Sequence, residues 1–355
     1  MRFVFLGLSI TSSWGNGHAT TYRGLVRELT RLGHDVLFLE RDAPWYAENR
    51  DLPAPPWGTT RLYADLPALR DGWRDAVREA EVVIVGSYVP EGAEVLRWVL
   101  EEARGLVAFY DIDTPVTLAR LARGDLDYLA ADLVPGLDLY LSFTGGPVLR
   151  RIERELGAPC ARALYCSADP EVYYPAPTAP TWDLGYLGTY SPDRQPRVEA
   201  LLCAPARALG DRRFVVAGPQ YPDGCRWPGN VERIEHLPPP EHRAFYNAQR
   251  FTLNVTREDM VKAGWSPSVR LFEAAACGTA IISDRWDGLD ELFLPGEEVL
   301  LADGPDDVVR ALRDLPEAGR RRLGLRARER VLDAHTAAHR AAELEGYCRE
   351  VQAWS

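Results

Sequence analysis

At 355 residues the chain is long enough for about two domains of ordinary size, and for a core that needs no disulfide or metal staple. With 46% hydrophobic and 26% charged residues it has the composition of a globular protein, and no run reaches the ~18 consecutive apolar residues of a membrane-spanning helix. Its formal charge of −11 argues against broad nucleic-acid binding, which needs a basic face.

Taken in chain order, the residues RFVFLGL read as a buried parallel strand rich in β-branched and aromatic side chains. A Gly/Ser loop from Ser9 to Gly17 follows. A helix then begins near His18, with Tyr22, Leu25, Val26, Leu29 and Leu32 at helical spacing and Gly33 at its end. DVLFLE completes one βαβ unit, and VVIVG (82–86), LVAFYD (106–111) and LDLYLSF (137–143) supply further strands. Between Ala168 and Trp182, prolines at 170, 175, 177 and 180 break both helix and central strand, so this stretch reads as a linker.

A second alternation follows. DLGYLG (183–188) is a strand, Arg197–Leu209 a helix and RFVVAG (213–218) a strand. VERIEHL, a helix from about Glu241, and RFTLNV (250–255) continue the pattern. Val269 through Cys277 is a helix stopped by Gly278, TAIISD is a strand, and 306–313 and 317–333 are helical. A last helix runs from about Ala337 to Ala353 after a break near His335. The expected architecture is α/β, two doubly wound parallel sheets with a cleft at the carboxyl ends of their strands.

Lys262 is the only lysine, so a phosphate clamp must be built from arginine. The six cysteines form no CxxC pair and no metal-ligand spacing, and MRFVFLGLSI carries no small-residue cleavage site. Reduced thiols and a cytoplasmic location are the expectation.

Four segments could carry chemistry. In the first, Gly15, Asn16 and Gly17 let the backbone approach a ligand ahead of a helix N-terminus, and His18 stands at the mouth as a candidate general base. Two glycines without the third make a dinucleotide fingerprint weak; bracing the helix start is the plain alternative for His18. In the second, Asp111 and Asp113 straddle a strand end before Pro115. Either could orient the imidazole of His18, the pair could hold Mg²⁺ on a diphosphate, and one of them could simply cap a turn. In the third, Gly188, Thr189, Tyr190 and Arg194 sit at a strand-to-helix turn suited to a diphosphate or to an N-capped turn. In the fourth, Ser268, Arg270, Phe272 and Glu273 open a helix that puts an arginine and a carboxylate on one face, where phosphate and ribose could be met together. A solvated Arg–Glu pair is the alternative, disfavoured by the apolar surroundings.

The segment FEAAACGTAIISD resembles the E-A-x-A-x-G-x-P-V-I stretch of GT-B glycosyltransferases. WGNGHATTYR, YDIDTP, YLGTYSPDRQP and RLFEAAACG, in that order, are similar to the CgeB-like branch, and the resemblance spans nearly the whole chain. It implies the GT-B fold, two Rossmann-like domains facing across a cleft: 1–170 for the acceptor, 171–334 for the nucleotide sugar, and a helix over 335–355 crossing back to the first.

It also implies transfer of a sugar from a nucleoside diphosphate such as UDP to an acceptor, with no metal or other cofactor; charge and hydropathy add the expectation of no nucleic acid and no membrane span. Glu273 would take the donor ribose, His236 and Leu237 the base, and the Gly188–Tyr190 backbone with Arg194 and Arg270 the diphosphate. His18 would be the base of an inverting reaction, with Asp111 or Asp113 behind it. Many retaining relatives carry a further glutamate eight positions before Glu273, where this chain has Trp265, so its donor-sugar contacts differ. Two rival expectations remain: a sugar-nucleotide epimerase of the same fold, and a non-catalytic CgeB-like surface or spore assembly protein. The first-half aromatics Trp14, Trp45, Tyr46 and Trp57 suit a flat acceptor or plain core packing alike.

Overall fold

The structure, a computed structural model, describes residues 1–15, 17–124 and 127–353. The chain divides into two compact units, Met1–Cys166 with the chain from Ala337 onward, and Ser167–Thr336.

The first unit is built on seven parallel strands: β1 Arg2–Gly7, β2 Asp35–Arg41, β3 Thr59–Tyr63, β4 Val82–Gly86, β5 Leu106–Asp111, β6 Leu139–Ser142 and β7 Ala161–Ala163, in the order β3-β2-β1-β4-β5-β6-β7. Every residue of β4, β5 and β6 is buried, as continuous apolar runs covered on both faces demand. The strand order reverses between β1 and β4, the crevice position where doubly wound sheets bind ligands. The helix Ala337–Gln352 puts Ala341, Leu344, Cys348 and Val351 into the same core as Phe3, Tyr22 and Leu25. It crosses the helix His18–Arg31 so closely that a Cβ on Gly24 would come within 2.9 Å of the Ala337 Cβ.

The second unit repeats the plan with β8 Trp182–Leu187, β9 Phe214–Ala217, β10 Val231–Ile234, β11 Gln249–Asn254, β12 Ala280–Ser283 and β13 Leu300–Leu301, ordered β10-β9-β8-β11-β12-β13 and parallel throughout. Its reversal lies between β8 and β11. The helix expected over Arg197–Leu209 is not uniform: Gln195–Val198 passes through a single π turn at Glu199–Cys203 into Ala204–Ala208. Pro205 explains the widening, because it has no N–H for the carbonyl four residues back and its ring would collide with it.

All six cysteines are free thiols. Among the described residues no helix is long and apolar enough to cross a membrane.

Candidate active site

In the first unit the segment between β1 and the helix His18–Arg31 is held by two carboxylates from elsewhere. Glu40, fully buried at the end of β2, accepts from the Ser9 hydroxyl at 3.0 Å, the Ile10 amide at 2.7 Å, and the Thr11 amide and hydroxyl at 3.0 and 2.6 Å. Asp51 accepts from the amide and hydroxyl of Ser13, both at 2.8 Å, and from the Arg23 fork at 2.8 and 2.9 Å. Burial would raise the Asp51 carboxyl, but these donors outweigh it and bring its pKa down to about 2. The segment is therefore fixed up to Gly15, whose φ of 60° lies in the left-handed region that glycine tolerates best. Added Cβ atoms on Gly15 and Gly17 would meet nothing within 4 Å, so the backbone here is open to a ligand. Asn16 lies outside the described residues.

His18 opens the helix directly after Gly17, which offers no side-chain cap. The residue is half-buried and its Nδ1 is sealed from solvent; burial lowers its pKa to about 4. Its ring meets that of Tyr88 edge-on, with centroids 5.4 Å apart. Tyr88 follows β4 in a left-handed conformation, φ 64°, and donates its hydroxyl to Asp113 Oδ2 at 2.9 Å. Burial, reinforced by that carboxylate, raises the Tyr88 phenol far above its ordinary value, so it remains a donor.

The two aspartates are not equivalent. Asp111 is fully buried, with one oxygen accepting from Thr117 at 2.7 Å and the other from Tyr140 at 2.7 Å. Burial raises its pKa to about 6 against the pull of those hydroxyls. With both oxygens engaged, Asp111 and Asp113 do not present a free carboxylate pair to a cation. Asp113 is half-buried at the start of the helix Thr114–Leu121 and reaches the His18 side of the sheet through Tyr88. Among the described residues no group of three His, Cys, Asp or Glu side chains is placed to hold a metal ion.

In the second unit Arg270 is buried, on the first turn of the helix Val269–Ala276. Its Nε donates to the Leu187 carbonyl at 2.6 Å, its Nη1 to Asn254 Oδ1 at 2.8 Å, and its guanidinium lies 4.9 Å from the Tyr186 ring centre. It thus bridges the ends of β8 and β11 through neutral partners only. Arg194 donates to the Thr189 carbonyl at 2.5 Å, while its Nε is sealed from solvent with no hydrogen-bond partner. Burial, with the guanidiniums of Arg270 and Arg257 close by, pulls Arg194 below the usual guanidinium range. Arg194 and Arg270, gathered with only neutral hydrogen-bond partners, call for an anion.

The turn around them is tight. A Cβ on Gly188 would stand 2.6 Å from the Tyr186 hydroxyl and 3.1 Å from Arg270 Nη2. The Gly188 and Tyr190 amides donate to Ala217 and Pro219 at 2.9 and 3.0 Å, so of the three backbone donors expected at this turn only Thr189 keeps its N–H for a ligand.

Glu273, one turn along from Arg270, is buried and accepts from the Tyr246 hydroxyl at 3.0 Å. His242 Nδ1 stands 3.9 Å from the same oxygen. Ser268 precedes the helix without a side-chain capping bond and its hydroxyl accepts from Arg270 Nη1 at 3.4 Å, whereas Phe272 faces inward against Phe293 and His335. Leu237 offers its carbonyl to His242 Nε2 at 3.2 Å, and His236 is exposed just past β10. Trp265 adopts φ 43°, donates its N–H to Asp287, and lies so close to Gly288 that a Cβ there would meet its ring at 2.4 Å. Sequence reasoning passed over Glu40, Tyr88, His242 and Asn254, each of which acts through contacts remote in sequence.

Residues 194–346 match a family model described as glycosyl transferase-like. No curated protein sequence matches the chain. Among solved structures, sucrose-phosphate synthase of Thermosynechococcus elongatus is similar with a TM-score of 0.72 and 16% identity, over 100% of both chains. HepE of Anabaena, solved with UDP and glucose, gives 0.69 and 12% over 99% of this chain and 100% of that one. AviGT4, involved in avilamycin A biosynthesis, gives 0.62 and 18% over 99% and 98%. The chain therefore has the GT-B fold of glycosyltransferases. The stretch matched by the family model covers most of the second unit and runs into the last helix.

Proposed function

We propose that the protein transfers a sugar from a nucleoside diphosphate sugar to a hydroxyl or other nucleophile of an acceptor. The observation that carries this reading is the gathering of Arg194 and Arg270 at the end of β8, with an unpartnered Arg194 Nε and neutral hydrogen-bond partners on Arg270. A diphosphate supplies the missing negative charge, and Glu273 a carboxylate for the ribose. HepE is solved with UDP and glucose, and an α-glucosyltransferase of similar fold with UDP, which makes UDP the first nucleotide to try.

In this reading the acceptor oxygen attacks the sugar's anomeric carbon as the bond from that carbon to the diphosphate oxygen breaks, with inversion. His18 takes the acceptor proton on Nε2, its Nδ1 being sealed from solvent. Its lowered pKa keeps the imidazole unprotonated at neutral pH, the form a base requires. Asp113, set by Tyr88, would stabilise the imidazolium as it forms. The guanidiniums stabilise the departing diphosphate, the task a metal performs elsewhere, so no metal is required. Placement in the CgeB-like branch rests on the four sequence stretches quoted above.

The test is release of nucleoside diphosphate from UDP-glucose and its ADP and GDP counterparts, with and without a pool of hydroxylated acceptors. Acceptor-dependent release lost in Arg194→Ala supports the reading. Conversion of the donor sugar with no acceptor present would assign an epimerase instead.

A further inference from the structure

The carboxylate of Glu273 and the imidazole of His242 form an incomplete hydrogen-bonding pair. His242 Nε2 lies 3.2 Å from the Leu237 carbonyl. A carbonyl only accepts, so Nε2 carries a proton, and in the tautomer with a single ring proton Nδ1 presents a bare lone pair. That lone pair is sealed from bulk solvent, has no partner in the protein, and stands 3.9 Å from Glu273 Oε2. The Glu273 carboxylate already accepts from the Tyr246 hydroxyl, at 3.0 Å on Oε2, and from the Tyr173 hydroxyl, and its two oxygens retain capacity for a further donor. In that tautomer two buried acceptors face each other, an arrangement that is unfavourable unless a ligand supplies hydrogens to both. A single hydroxyl carries one hydrogen; a vicinal diol carries two.

We propose that His242 is a specificity residue for the donor nucleotide, its Nδ1 accepting one hydroxyl of the ribose while Glu273 accepts the other. The inference rests on the reading of the second unit as a nucleoside diphosphate site and goes beyond it by assigning discrimination between ribo- and deoxyribonucleotides. The helix Pro239–Asn247 carries both His242 and Tyr246, so one element sets the imidazole and steadies the carboxylate.

Isothermal titration of the full chain with UDP, 2′-deoxy-UDP and 3′-deoxy-UDP tests it, with the matching ADP or GDP series if wild type prefers that base. Three proteins are compared. His242→Gln keeps a donor for Leu237 and removes the Nδ1 acceptor, whereas His242→Asn keeps an oxygen near the Nδ1 position. Wild type should bind the ribonucleotide about ten-fold more tightly than at least one deoxy analogue. The Gln variant should lose that preference with its binding of the deoxy analogue unchanged, and the Asn variant should retain much of it. A Gln variant with the wild-type preference, or one weakened equally toward all three ligands, overturns the proposal. If wild type binds no nucleoside diphosphate at all, the glycosyltransferase reading itself fails and takes this inference with it.

Discussion

Tyr88 donates a 2.9 Å hydrogen bond to Asp113, joining the end of β4 to the start of the helix after β5. The same ring stands edge-on to His18, so one phenol sets both the imidazole and the carboxylate proposed to serve it. Tyr88→Phe keeps the ring and removes the bond to Asp113. We expect kcat to fall about ten-fold with donor affinity unchanged, and His18→Ala to cost roughly 10²–10⁴ in kcat. Steady-state kinetics in the Phe variant separate the two roles: an unchanged kcat would leave Tyr88 as packing alone.

The lowered pKa of His18 has a consequence for stability. The group takes up a proton near pH 6.5 when unfolded but only near 4 when folded, so the unfolded chain binds more protons between those values. Stability is full above the unfolded pKa and is lost as pH falls from about 6.5 toward 4. The raised Asp111 acts in the opposite sense over an overlapping range, gaining stability as pH falls through 6. The contribution of His18 is therefore read as a difference. Relative to wild type, His18→Gln should gain about 1–3 kcal/mol between pH 7.5 and 4.5 in thermal unfolding. Parallel pH profiles would contradict the burial argument.

Glu40 supports four hydrogen bonds to the segment that ends at Gly15. Glu40→Ala strands buried amides and hydroxyls, and we expect a loss of about 3–5 kcal/mol from the first unit. Thermal unfolding checks this, and a midpoint within a degree or so of wild type would show that water replaces the carboxylate.

Gly188→Ala would push a methyl group into the Tyr186 hydroxyl and Arg270 Nη2. The expected cost is about 1–3 kcal/mol in the second unit, together with weaker nucleotide binding as Arg270 shifts. Differential scanning calorimetry with and without UDP measures both. Unaltered binding would mean that Arg270 does not hold the ligand.

Strands β1, β4, β5 and β12 were legible in the sequence because burial on both faces writes itself as nearly uninterrupted apolar runs, whereas β8 and β11, interrupted by Asp183, Arg250 and Thr252, were read from their place in the alternation of strands and helices. The edge strands β3, β7 and β13 were not, since they are short or half-exposed and lack such a run. Arg270 and Glu273 stood out because helical spacing puts them on one face amid small apolar residues. Glu40, Tyr88 and His242 carried no local signal. Their roles come from partners brought together by the sheet, such as Tyr88 and Asp113, which are 25 residues apart. The turn at Gly188–Tyr190 was correctly placed, yet its backbone donors could not be counted until two of them were seen to serve the neighbouring loop.

The central claim is that the second unit holds a nucleoside diphosphate between Arg194, Arg270 and Glu273. A thermal-shift screen of UDP, dTDP, GDP and ADP, with NAD as control, tests it most directly on wild type, Arg194→Ala and Glu273→Gln. One diphosphate at 100 times its dissociation constant should stabilise wild type by about 2.7 kcal/mol and both variants by clearly less. No shift from any diphosphate, a shift from NAD alone, or an equal shift in all three proteins would contradict the account.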